Sequence, residues 1–177
     1  MEIMKNDDVY AGAFFEKTGL RFQCRRCSGC CRFAPGYVFL SHEDVAALFK
    51  ATGLAFPELF NAFLRIVPIG RFSRLSLKEK TNYDCIFWEN GGCRIYDDRP
   101  MQCRSFPFWS SILSSPETWA EQKKTCPGID DGPLHSPEEI SAWLARRVTE
   151  RLIEVDSDDL AELEAAHRRF RNDRPEE

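Results

Sequence analysis

The stretch "QCRRCSGCCRF" at residues 23–33 places four cysteines, Cys24, Cys27, Cys30 and Cys31, within eight positions. Four more follow at Cys85, Cys93, Cys103 and Cys126. Such a pattern allows a disulfide framework, a redox centre or a cage for metal, and that choice constrains the fold more than any other feature. A chain of 177 residues can bury roughly 70 % of its unfolded surface and needs no staples to build a core. The vicinal pair Cys30–Cys31 argues against disulfides, because neighbouring residues are poorly placed for relaxed S–S geometry.

The opening "MEIMKNDDVYAGAFFEKTGL" lacks a basic segment leading into an apolar run, so a cytoplasmic location is expected. No stretch approaches the ~20 apolar residues of a membrane span, and no membrane association is expected. A reducing cytosol turns clustered cysteines toward metal binding or catalysis. The formal net charge is −4, which supplies no global attraction to nucleic acid, and none is expected as a partner.

Cys24–x–x–Cys27 and Cys27–x–x–Cys30 carry the two-residue spacer that aims paired sulfurs at one ion. The expected ligands are Cys24, Cys27, Cys30, Cys31, Cys85, Cys93, Cys103 and Cys126, with zinc or an iron–sulfur cluster as cofactor. Cys126, isolated in its segment, also fits a buried apolar thiol. The triplet spacing matches the first three ligands of a bacterial ferredoxin motif, and Cys126–Pro127 matches the remote, proline-followed fourth. That permits one site of Cys24, Cys27, Cys30 and Cys126, and a second of Cys31, Cys85, Cys93 and Cys103. Arginine follows Cys24, Cys31, Cys93 and Cys103 directly. A guanidinium lowers the pKa of a neighbouring thiol, and strand alternation makes Arg32 and Arg104 better candidates for that task than Arg94. Of the histidines, His42 and His167 read as solvated helix faces, and His135 is the one spare ligand.

The expected fold class is α+β: a small metal-stabilised core with short helices and a β-hairpin, plus C-terminal helices. The opening 20 residues read as a short amphipathic helix with Val9, Phe14, Phe15 and Leu20 as its apolar residues. "YVFL" at 37–40 reads as a strand. "SHEDVAALFKATG" reads as a helix capped by Ser41, with Asp44 at the capping-box position and Gly53 as its stop. "FPELFNAFLRIV" reads as a second helix opened by Pro57. "RLSLK" alternates like a strand, and "CIFWENGGCRIY" reads as a hairpin around Asn90–Gly91–Gly92. Pro100 and Pro107 bracket one helical turn, and residues 110–135 read as irregular loop. A helix from Ser136 to about Leu152, striped by Ile140, Leu144, Val148 and Leu152, precedes another in "DSDDLAELEAAHRRF". The expected domains are a cysteine-cluster domain over 1–135 and a helical extension over 136–177, packed on it or on a partner.

Together these residues resemble the bacterial cysteine-cluster family with the pattern CxxCxxCC, described as zinc- or iron-chelating proteins. The resemblance runs through "CRRCSGCC", "CIFW", "CRIYDDRPMQCRSFPF" and "CPG", over roughly residues 20–130. Ser28 stands where many members carry glycine. The resemblance implies metal binding without a defined reaction. Some relatives are linked to flagellin lysine methylation, which implies a possible iron–sulfur enzyme. Three functions follow: a metal protein with two thiolate sites, an iron–sulfur enzyme of redox chemistry or protein modification, and an interaction module with purely structural zinc.

Overall fold

The computed structural model describes residues 12–156. Among them are five α-helices and seven strands in small antiparallel sheets, an α+β fold. Strand β1, Leu20–Phe22, pairs with the later strand β6, Ile129–His135, across a bulge between Arg21 and Phe22. Among the described residues only turns precede β1: Gly19 takes φ 64°, and a Cβ there would lie 2.1 Å from the His135 carbonyl oxygen. This corrects the opening helix, of which residues 1–11 lie outside the described residues. Leu20 belongs to a strand, and Phe15 is buried within a turn.

Helix α1, His42–Thr52, begins on the expected capping box: Ser41 Oγ accepts from the Asp44 amide, and the Asp44 carboxylate accepts from the Ser41 amide. It stops at Gly53 in the left-handed region. Helix α2, Phe56–Phe63, is shorter than expected, because "LRIVPI" becomes β2, Leu64–Ile69. Pro68 has no amide for a helix, whereas β2 is an edge strand that can carry it. It pairs through a Gly70–Arg71 turn with β3, Phe72–Leu77. "YVFL" contributes a single bridge, Phe39 to Ser76.

The expected hairpin forms in minimal size: β4, Trp88–Glu89, pairs with β5, Gly92–Cys93. Asn90 and Gly91 turn it with φ of 51° and 85°, the positive values that favour Asn–Gly in such turns. Helix α3, Met101–Arg104, is the single turn expected between the prolines.

Residues 110–135 are not irregular loop. Helix α4, Pro116–Lys123, rises from a Ser115–Thr118 capping box, and β6 follows. Helix α5, Pro137–Thr149, ends before Leu152, which bridges to Ser41 as the chain turns into β7, Glu154–Val155. Ile140 and Leu144 are buried, while Val148 is exposed, so the expected stripe holds over its first half alone. The final helix expected in "DSDDLAELEAAHRRF" lies outside the described residues.

Two hydrophobic clusters result. One joins α1, α2, β2 and β3 through Leu40, Leu48, Leu59, Leu64, Leu75 and Phe87, with Cys85 and Cys93 against it. The other joins Phe15, Phe108, Trp119, Ile129, Ile140 and Leu144, with Cys126 against it. Each fully buried leucine contributes about 1.5–3 kcal/mol.

Candidate metal centre

The seam between the two clusters is where the cysteines meet. All eight line one cavity of about 90 Å³, walled by Leu77, Phe87 and Ile95 on one side and by Phe22 and Phe106 on the other. A single water needs ~10–15 Å³, so the space exceeds the size of one small ion. None of the eight is in a disulfide.

Each segment is held in place by backbone. Cys30 and Cys31 sit on a 3₁₀ turn, Gly29–Cys31, entered through Ser28 at φ 66°. Arg26 and Phe33 also take positive φ, of 53° and 74°. This repeated use of the left-handed region curls the run so that successive sulfurs face inward. The Cys85 amide donates to the Cys31 carbonyl, and the Gln23 amide donates to the Gly128 carbonyl. The first contact brings in the hairpin and the second brings in the Cys126 loop. Gly128 is required there, because a Cβ would fall 2.2 Å from the Gln23 carbonyl oxygen.

Two buried carboxylates complete the frame. Asp84 is 2 % exposed and accepts from Arg32 Nε at 2.9 Å and from Asn82, clamping Cys31 to Cys85 from behind. Asp44 is equally buried and accepts the Met101 amide at 2.7 Å, seating α3 and therefore Cys103. The sequence marks Asp44 as a cap for α1. Its second task depends on a contact between distant segments that no local pattern encodes. For Asp84, the only local sign is an acid immediately before Cys85.

The arginines are arranged differently from expectation. Arg32 pairs with Asp84 and stacks on Trp88, Arg104 approaches Asp44 at 4.0 Å, and Arg94 lies over Phe63 and Phe87. The arginines lining the cavity are Arg25, Arg26 and Arg99. His135 is also elsewhere: Nε2 meets the Phe22 carbonyl at 3.1 Å and Nδ1 faces Glu139.

The thiols interact as a group. Cys30 and Cys31 lie 3.7 Å apart, sulfur to sulfur. Ligands of a tetrahedral zinc at Zn–S ~2.3 Å are separated by about 3.8 Å. Their shared hydrogen bond, helped by Arg99, brings Cys30 down to about 7 against the cost of burial, while the same bond and burial push Cys31 up. Burial raises Cys85, Cys93, Cys103 and Cys126. Cys30 acts electrostatically on Cys85, Cys93, Cys103 and Cys126 as well as Cys31, which puts it at the middle of the set. Among the described residues, no three His, Cys, Asp or Glu side chains already converge on one point. The donors suit zinc or iron in kind, being soft thiols without a lining carboxylate, and closing them on an ion requires side-chain rotation.

Cys30, Cys31, Cys85 and Cys103 also border a second cavity, about 290 Å³, with Tyr37, Tyr83, Phe106 and Trp109 in its walls. Among the described residues no helix is long and apolar enough to cross a membrane.

No solved structure matches the chain. The family model that matches is CxxCxxCC, described as "Putative zinc- or iron-chelating domain", over residues 23–127. That span is more than half the chain and contains every cysteine; the protein belongs to the CxxCxxCC family.

Proposed function

We propose that this is a cytoplasmic metal protein in which the eight cysteines hold zinc or an iron–sulfur cluster at two adjoining thiolate sites. The observation that carries the reading is the convergence of all eight on one cavity between the clusters. Cys85 and Cys103 act on Cys31, Cys85 acts on Cys103, and Cys27 acts on Cys126, which supports the two expected sets. Cys24 acts on Cys93 and Cys30 acts on both sets, so the sites share a border there. Eight thiolates exceed the needs of one tetrahedral ion. In this reading residues 1–135 carry the centre and residues 136–177 are an extension, its helix α5 packed on the domain through Ile140 and Leu144.

Anaerobic purification followed by elemental and sulfide analysis tests this. About two zinc, or about four or more iron with sulfide, are expected per chain. A folded, metal-free protein whose eight thiols all alkylate freely would overturn it.

A second reading is supported by the larger cavity behind Cys30, Cys31, Cys85 and Cys103. A cluster bordered by an aromatic-walled space can meet a substrate, as an iron–sulfur enzyme of redox chemistry or protein modification such as lysine methylation would require. Brown protein with a reversible absorbance change on dithionite addition supports it. Colourless zinc protein favours fully ligated structural sites or an interaction module.

A further inference from the structure

Tyr96 lies between two guanidinium groups at the mouth of the cysteine cavity. Arg26 stands 3.9 Å from its ring centroid and Arg99 stands 3.7 Å from it. Arg99 Nε also donates to the Tyr96 carbonyl at 2.7 Å, which fixes the arginine against the ring. All three residues line the cavity. Among the described residues neither Arg26 nor Arg99 forms an ion pair with a carboxylate, whereas Arg25, Arg32 and Arg104 each have one nearby. Two cations are thus held on one ring beside a nest of thiols, with no carboxylate partner among the described residues.

The ring that carries both guanidinium groups shares the cavity wall with Cys24, Cys30, Cys93 and Cys103. Two zinc ions bound by eight thiolates would carry a formal charge of −4, which is costly in a partly buried seam unless fixed cations oppose it.

We propose that Arg26 and Arg99, held on the Tyr96 ring, form a cationic clamp that stabilises the thiolate ligands of the metal centre. The clamp rests on the metal-binding reading above. Its components come from separate segments: Arg26 from the cysteine run, and Tyr96 and Arg99 from the loop between β5 and α3. The clamp therefore also draws the run toward the hairpin side of the cavity.

Zinc competition titrations on the full chain test the proposal, paired with the pH of half-release and the sulfur-to-cobalt charge-transfer band of the cobalt(II) form. Arg99→Met keeps the stem and removes the charge. It is expected to raise the zinc Kd at least tenfold and to move half-release to higher pH, with Arg99→Lys restoring most of both. Arg26→Met should shift both in the same direction by less. Tyr96→Ala, which removes the ring carrying both guanidinium groups, should shift both values and the cobalt band, while Tyr96→Phe keeps the ring and leaves all three near wild type. Wild-type Kd and half-release within experimental error for the Arg26→Met and Arg99→Met chains would overturn the clamp and leave the metal reading standing. A wild-type chain that binds neither zinc nor iron would overturn both. If Arg99→Met fails to fold, Arg26→Met decides the matter, since Arg26 is exposed and lies outside the buried core.

Discussion

The backbone amide of Cys85 donates to the carbonyl of Cys31 at 2.7 Å. One bond thus joins the cysteine-rich run to the hairpin segment, and Arg32 locks on Asp84 beside it at 2.9 Å. Two neighbours of cysteines hold each other so that the cysteines themselves are left to face the cavity. Backbone and neighbouring side chains do the scaffolding, and the cysteine sulfurs are left for the cavity.

Metal removal should loosen the whole seam. Structural zinc sites contribute ~10–16 kcal/mol in small peptides, against ~5–15 kcal/mol for the stability of a typical domain. Verified chelation, or Cys27→Ser, should flatten the near-UV circular dichroism of Trp88, Trp109 and Trp119 as the two clusters lose their common boundary. An unchanged near-UV spectrum in metal-free protein would contradict a stapling role.

Gly128→Ala should detach the Cys126 loop. The added methyl would meet the Gln23 carbonyl oxygen at 2.2 Å, a backbone atom that cannot swing away. Loss of about 2–4 kcal/mol is expected, within the range for strain and overpacking, together with faster alkylation of Cys126. Equal denaturation midpoints for mutant and wild type would show that the Gln23–Gly128 contact is dispensable.

Ser28→Gly should stabilise the protein by about 0.5–1 kcal/mol. Ser28 occupies φ 66°, where a Cβ costs roughly 1–2 kcal/mol, and glycine's greater freedom in the unfolded chain offsets part of the gain. Among the described residues its side-chain hydrogen bond is the 3.4 Å one to the Gly91 carbonyl, too long to matter greatly. A lower melting temperature at unchanged metal content would mean that this contact outweighs the strain.

Metal affinity should rise with pH. Burial raises Cys85, Cys93 and Cys103 above the ordinary thiol value of 9.0, so a metal must displace their protons. Each displaced proton gives up to ~10-fold per pH unit. Competition at pH 6.5 and 7.5 should show at least tenfold tighter binding at the higher value. The metal-free chain should behave in the opposite sense. Its raised thiols favour the folded state below the unfolded thiol value, and that contribution is lost as pH rises through the higher folded values. A pH-independent metal Kd would mean that the thiols are already ionised in the metal-free protein.

Much of the site was legible in the chain because its signals are local. The two-residue spacers, the Ser41–Asp44 cap, the Asn90–Gly91 turn and the Pro100–Pro107 bracket each depend on residues within a few positions of one another. Short-range stereochemistry settles them before the chain compacts. The family pattern is likewise a pattern of order along the sequence. Tertiary structure decided what depends on distant partners. "LRIVPI" became a strand because β3 was there to pair with it, and "IDDGPLH" became one because Leu20–Phe22 reached it. Asp44 gained a second role at Met101 only when α1 and α3 met. The arginines show the same physics. Adjacency to a cysteine places a guanidinium near in sequence, yet its charge goes to whichever partner burial and direction present. For Arg32 that partner was Asp84, and for Arg99 it was the ring and carbonyl of Tyr96.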